Sequence, residues 1–330
     1  MKKAFRIIIF FAIGIGCIWW FIHKLTDQEI AQMLSSFASA NYVFFFIAIL
    51  INILSSLLRA LRWQQLLKPI GLKAGLLPAF FSVMCGYLAN LAVPRLGEVV
   101  RCGLVAKKEK IPFDKTIGTV IIERCVDMLL FLLILLFAMC LEFGYIKDYL
   151  YNNFSATVNF SDLKKLFFIV LIALAIIGFA IFLFRKQISK TKLYIKIHDF
   201  LFGILEGVRS VFRLKNPLPF IFHSLAIWFL WIAGTWVVFF CFPASENLSF
   251  KIAVIVTVLG AIGPMVTPGG IGLFPAIIAG TLFMYGVARP IGYAEGWLLW
   301  IVAQVGCIII GLVGFMYFSW SKNKSQITKQ

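Results

Sequence analysis

Residues 74–106 are apolar, yet basic segments flank them on both sides, Arg59 to Lys73 before and Lys107 to Lys115 after. No other stretch constrains the fold as much. A helical membrane crossing needs about 20 residues. The 33 residues here are too many for one crossing and too few for two plus a turn. Pro94 and Gly97 interrupt the stretch unevenly. A hairpin that enters from the cytoplasm and returns there satisfies both the length and the charge. The break reads Pro94-Arg95-Leu96-Gly97-Glu98-Val99-Val100-Arg101, with three ionisable residues. Each would cost roughly 2.5–3.5 kcal/mol at a helix centre, so such residues persist where they face protein or a wet cavity.

Composition agrees with a membrane location. Hydrophobic residues make up 62% of the 330 positions and charged residues 14%. That excludes an ordinary soluble domain and indicates an all-α polytopic membrane protein. The net charge of +17 reports topology here, since Lys and Arg stay on the cytoplasmic side, and no nucleic-acid partner is expected. The seven cysteines form no C-x-x-C pair and the three histidines are far apart, so neither a disulfide framework nor a metal is expected. No nucleotide-binding loop is present and no cofactor is expected.

In chain order, residues 1–22 read as an uncleaved first transmembrane helix behind Lys2, Lys3 and Arg6, closed by Trp19-Trp20. Residues 23–40 read as a short polar loop. A second helix from about Tyr42 to Leu58 leaves through Arg59-Ala60-Leu61-Arg62-Trp63 into the cytoplasm. The hairpin follows, then a helix from about Thr116 to Leu141 that carries Glu123-Arg124-Cys125-Val126-Asp127 near its start. An outer loop covers 142–165, and Leu166 to Phe184 crosses back. Residues 185–217 place Leu193, Ile197, Leu201, Leu205 and Val208 at helical spacing, with Arg209 and Arg213 elsewhere on the wheel. That describes an amphipathic helix on an anionic cytoplasmic surface. Leu218 to Phe242 crosses outward. Residues 249–288 form a second interrupted segment, broken by Pro264, Pro268, Gly269, Gly270, Gly272 and Pro275. Gly296 to Phe318 then returns.

The expected architecture is a single integral membrane domain over 1–330, with six full transmembrane helices and two re-entrant hairpins. Of the 31 Lys and Arg, 24 fall in the assigned cytoplasmic segments or the first hairpin's return limb, six fall outside, and Arg124 is in a helix. Both termini are then cytoplasmic. Helix–hairpin–helix occurs over 42–141 and again over 218–318 with opposite starting sides. Paired interrupted segments in two inverted halves point to a substrate site at the midplane of a transporter.

The chemistry expected there is anion binding. A helix starting after Pro94, and another after Gly269-Gly270, would aim free N–H groups and a positive dipole end into the membrane. Arg95 adds a forked donor. Glu98 is placed to pair with Arg95 or Arg101, or to meet a cationic headgroup. Glu123 and Asp127 share a helical face, and Arg124 is placed to reach Asp127. Arg59 and Arg62 either snorkel and set topology or reach the site. Arg101 reads as part of a solvated basic face. The candidate headgroup set is therefore Arg59, Arg62, Arg95, Gly97, Glu98, Arg101, Glu123, Arg124, Asp127, Gly269, Gly270 and Gly272. The bland alternative for Glu123, Arg124 and Asp127 is an internal ion-pair lock.

At these residues the chain resembles the transmembrane, flippase-like region of the lysylphosphatidylglycerol synthases and its stand-alone relatives. The stretches that carry the resemblance are Arg59-Ala60-Leu61-Arg62-Trp63, Pro94-Arg95-Leu96-Gly97-Glu98 with Arg101, Glu123-Arg124-Cys125-Val126-Asp127, and Pro268-Gly269-Gly270-Ile271-Gly272. The resemblance implies a multi-pass protein of the bacterial inner membrane that moves a phospholipid or a lipid-linked phosphate between leaflets. Two departures qualify it. The aminoacyl-transferase domain of the full-length synthases is absent, so synthase activity is not expected. Pro275 stands where the family often has Glu, which argues against a cationic headgroup. Two rival readings are a polyprenyl-phosphate-sugar glycosyltransferase using Asp27-Gln28-Glu29, and a non-transporting subunit that recruits partners.

Overall fold

A computed structural model of the chain describes residues 25–93, 95–141 and 214–327, together with residues 15, 16, 18, 19, 21, 23 and 211. The first helix, the expected crossing at 166–184 and the amphipathic segment at 185–217 lie wholly or largely outside these residues, as does Pro94. Among the described residues the chain is helical, with no strand.

Helix α1 (Asp27–Ser39) replaces the polar loop expected over 23–40. Its signal is a capping box. The Thr26 hydroxyl accepts from the Glu29 N–H at 3.3 Å, and the Glu29 carboxylate accepts from the Thr26 N–H at 2.9 Å. Both orphan donors at the helix start are thereby satisfied. That hydrogen bond to the Thr26 backbone, followed by the one to its hydroxyl, holds the Glu29 carboxyl below the usual carboxylate range.

Helix α2 (Tyr42–Leu67) starts on the Asn41 cap and runs nine residues past the expected exit at Leu58. Arg59, Arg62 and Trp63 are therefore inside the helix and buried, and the helix does not end there. The helix gives way at Pro69, and Gly71, at φ 75°, turns the chain. Helices α3 (Leu76–Ala92) and α4 (Leu96–Glu109) follow, then α5 (Phe113–Leu141) and α6 (Leu218–Phe239). The second interrupted segment resolves into α7 (Phe250–Gly260), the single turn α8 (Gly263–Val266), a 3-10 turn (Pro268–Gly270) and α9 (Leu273–Met284). Helix α10 (Arg289–Ile327) closes the described chain and starts one to two turns before the expected Gly296.

Four of these helices, within Tyr42–Ile70, Phe113–Leu141, Leu218–Phe239 and Arg289–Trp320, are long and apolar enough to cross a membrane. The limbs of the two interrupted segments are not. At 1.5 Å per residue α3, α4, α7 and α9 span about 26, 21, 17 and 18 Å, short of the roughly 30 Å hydrocarbon core.

Helices α2 and α6 pack antiparallel. The Asn41 N–H donates to Cys241 O at 2.8 Å, the Trp231 indole to Ser55 Oγ at 3.1 Å, and Gln65 Nε2 meets His223 Nδ1 at 3.1 Å. Helices α3 and α10 pack antiparallel in the same way. The Cys85 thiol donates to Gly311 O, and the Phe81 and Tyr317 rings lie 5.1 Å apart. One apolar core joins α2, α6, α7, α9 and α10, and a second joins α2, α3, α4 and α5.

The hairpin expected over 74–106 is present as α3 and α4 packed limb against limb. Its limbs touch backbone to backbone. A Cβ on Gly97 would lie 2.1 Å from Gly86 O, so only glycine permits this approach. Asn90 Oδ1 accepts from the Gly97 N–H at 2.7 Å and fixes the register. The turn holds Arg95 at φ 66°, a left-handed conformation that costs a non-glycine residue about 1–2 kcal/mol. The tip meets the second interrupted segment. Gly269, at φ 58°, presses on Leu91, whose Cδ2 would be 2.5 Å from an added Cβ.

Candidate functional site

On α2, Arg59, Arg62 and Trp63 stand one helical turn apart on one face. On α5, Glu123 and Asp127 do the same. The α2–α5 packing drives these two faces together. Arg59 Nη1 lies 3.0 Å from Glu123 Oε1 and 3.1 Å from Asp127 Oδ2. Arg62 lies 2.7 Å from Asp127 Oδ1 and 3.2 Å from Glu123 Oε1. From α4, Arg101 Nη2 reaches Glu123 Oε2 at 3.0 Å. All five side chains are buried, and Arg62 and Glu123 are 0% exposed.

Aromatic and hydroxyl groups complete the cluster. The Arg101 guanidinium sits 3.9 Å over the Trp63 ring, whose indole N–H donates to Thr119 Oγ1 at 2.9 Å. Arg59 lies near the rings of Tyr87 and Trp231, and Arg62 near Phe220. Arg62 also donates to Ser224 Oγ on α6 at 3.1 Å. Three guanidiniums thus face two carboxylates, which leaves one positive charge uncompensated inside the cluster.

The structure reassigns several partners. Arg124 does not reach Asp127. It points from the other side of α5 toward Glu98, at 3.5 Å, in a pair that is partly exposed. Glu98 therefore pairs with neither Arg95 nor Arg101. Arg101 is 3% exposed and is no solvated face. Arg59 and Arg62 do not snorkel, because carboxylates await them inside the bundle. Arg95 is exposed and lies outside the cluster.

The helix starts also differ from the expectation of free donors. At the start of α4 the Leu96 N–H donates to Val93 O and the Gly97 N–H to Asn90 Oδ1. Near the start of α9 the Gly270, Ile271 and Leu273 N–H groups bond Thr267, Pro268 and Ile271 carbonyls. Gly269 O accepts from the Trp300 indole at 2.7 Å. Gly269, Gly270 and Gly272 shape the second tip and do not line the arginine cluster. Pro264 opens α8, Pro268 opens the 3-10 turn, and Pro275 is buried in the first turn of α9 against Gly296.

One side of the cluster opens into a small pocket between α3, α4 and α5. Tyr87, Asn90, Gly97, Glu98, Arg101 and Arg124 line it, around a cavity of ≈ 10 Å³. Glu98 Oε2 and Arg101 Nε are buried there without a hydrogen-bond partner. Val99 on α4 and Ile121 on α5, close by in sequence, are exposed apolar residues. That is room for about one water molecule, far below the roughly 300–1,000 Å³ of small-molecule pockets. A headgroup enters it only when α3, α4 and α5 move apart.

Sequence reasoning missed Glu295. It is 0% exposed on α10, in the other half of the molecule, and neither carboxylate oxygen has a donor in full hydrogen-bond geometry. A lone carboxyl in a long apolar run was the available signal.

A family profile described as the lysylphosphatidylglycerol synthase TM region matches residues 7–311. A UPF0104 membrane protein of Methanocaldococcus jannaschii is 22% identical over 303 residues, covering 84% of this chain and 85% of its own length. A UPF0104 membrane protein of Pyrococcus horikoshii is 24% identical over 336 residues, covering 94% and 97%. No solved structure matches.

Proposed function

The chain belongs to the family of the lysylphosphatidylglycerol synthase transmembrane region, and we propose that it is a lipid translocator, not an enzyme, acting on a phosphate-bearing headgroup. The observation that carries this reading is the pocket between α3, α4 and α5. Its polar wall is Tyr87, Asn90, Glu98, Arg101 and Arg124, with the Glu98 carboxylate paired to Arg124, it backs onto a buried cluster with one uncompensated positive charge, and apolar residues are exposed nearby. A lipid phosphate offers an anion for the guanidiniums and tails for the apolar surroundings.

In this reading α3–α4 and α7–α9 are re-entrant hairpins that enter the inner membrane from opposite faces and meet at Leu91 and Gly269. The antiparallel pairing of α2 with α6 supports two inverted halves. The ion cluster fixes α2, α4 and α5 as a frame, and the pocket sits at the edge of that frame.

Reconstitution into liposomes with a fluorescent phospholipid tests the reading. The protein is expected to move the probe between leaflets without chemical change. Turnover of a sugar or aminoacyl donor, with no lipid movement, would overturn it.

A further inference from the structure

Glu295 is the one buried carboxyl among the described residues that the arginine cluster does not engage. It lies in the second turn of α10, fully buried, with no donor in full hydrogen-bond geometry at either oxygen. No basic side chain among the described residues forms an ion pair with it. An ionised carboxylate cannot stay in such a place uncompensated.

The ionisable groups around it do not compensate. The Cys241 thiol is near it in the turn after α6, and the Ser245 hydroxyl approaches it as the one hydrogen-bonding side chain, a weak neutral donor shared with Phe239 O at 2.9 Å. Helix α9 carries no ionisable side chain. Helix α1 offers Asp27 and Glu29, with Glu29 bound to its own cap. Arg289, at the start of α10, lies 4.5 Å over the Phe283 ring and within electrostatic reach of Glu29. Tyr42, at the start of α2, donates to Phe37 O. His223, at the far end of α6, meets Gln65, while Arg59 and Arg62 of α2 and Arg101 of α4 sit in the distant cluster and Glu98 of α4 faces Arg124 outside it. Tyr87 and Cys85 of α3 meet α10 near Cys307 and at Gly311, at least 12 residues and about 18 Å further along the helix.

We propose that Glu295 is a proton-binding site, a carboxylic acid in the packed conformation that releases its proton to water when the packing of α10 against the α6–α7 turn opens. Release leaves a carboxylate and one hydrated proton, and closure reverses it. Helix α10 carries the change toward Tyr87, which lines the headgroup pocket. The coupling to lipid movement rests on the transport reading above, whereas the protonation does not.

Infrared difference spectroscopy on the purified full-length protein at neutral pH tests the protonation. A carboxylic acid C=O band is expected that Glu295→Gln removes and Glu98→Gln leaves. If Glu295→Gln fails to fold, Glu295→Asp is expected to shift the band. Absence of the band overturns the assignment. So does a melting temperature raised by sodium in the wild type alone, which would make this a metal-cation site. In proteoliposomes, a pH gradient is expected to stimulate lipid movement by the wild type, and Glu295→Gln is expected to lose that stimulation. Undiminished stimulation in the variant overturns the coupling. A wild-type protein that moves no lipid overturns the transport reading, and the infrared result still decides the proton site.

Discussion

Arg62 Nη1 lies 2.7 Å from Asp127 Oδ1, across 65 residues of chain, the shortest of the contacts that also tie Arg62 to Glu123 at 3.2 Å and Asp127 to Arg59 at 3.1 Å. The pair fastens α2 to α5 at the level where α4 docks. Removing one partner strands a buried charge, which typically costs about 3–5 kcal/mol, while removing both costs far less. Asp127→Asn is expected to lower the detergent melting temperature sharply. Arg62→Met with Asp127→Leu is expected to recover part of the loss. Additive losses in the double variant would show that the pair does not act as a unit.

Gly97 sets the approach of the hairpin limbs. Gly97→Ala places a methyl 2.1 Å from Gly86 O and 2.7 Å from Asn90, neither of which can yield without separating α3 from α4. Overpacking of this kind costs about 1–3 kcal/mol or more. Thermal unfolding is expected to show that loss, and Gly103→Ala, which meets nothing within 4 Å, is expected to show little. Equal stability of both variants would contradict the packing.

The contact between the two tips is also specific. Gly269→Ala adds a Cβ against Leu91 at a residue with φ 58°. A stability loss is expected that Leu91→Ala relieves only in part, because the left-handed backbone still disfavours a side chain. Full relief would mean that the conformation at Gly269 carries no strain.

The hairpin was legible because length, Pro94, Gly97 and flanking charge all describe the same break. The charges were legible as a set, but their pairing was not. Sequence spacing allows Arg124 to reach Asp127, yet Arg124 faces Glu98 on a different helix. The choice is made by the packing of α2 against α5, which the local pattern does not contain. Arg59 and Arg62 read as an exit because hydropathy falls at Arg59. A helix can continue through charge when carboxylates meet it. Helix α1 was missed although Thr26-Asp27-Gln28-Glu29 spells its capping box. Glu295 was not legible because a single carboxyl just before the apolar run from Gly296 to Phe318 has no charged neighbour or spacing to mark it.

The position of the hairpin loop is open to direct labelling. With cysteines removed, Lys110→Cys at the exposed end of α4 is expected to resist an impermeant thiol reagent added outside cells and to react after permeabilisation. Labelling from outside would reverse the hairpin and remove the inverted arrangement.

The central claim is that the headgroup site is the pocket at Arg101 and Arg124, and not the exposed Arg95. The most direct test compares Arg124→Gln with Arg95→Gln in a proteoliposome lipid-movement assay, each checked for thermal stability. Arg124 is partly exposed and outside the buried cluster, so its loss leaves the fold intact. Arg124→Gln is expected to fall about tenfold or more, the loss of one charge-assisted contact, while Arg95→Gln stays near wild type. A stable Arg124→Gln protein with normal transport, beside a defective Arg95→Gln protein, would contradict the account.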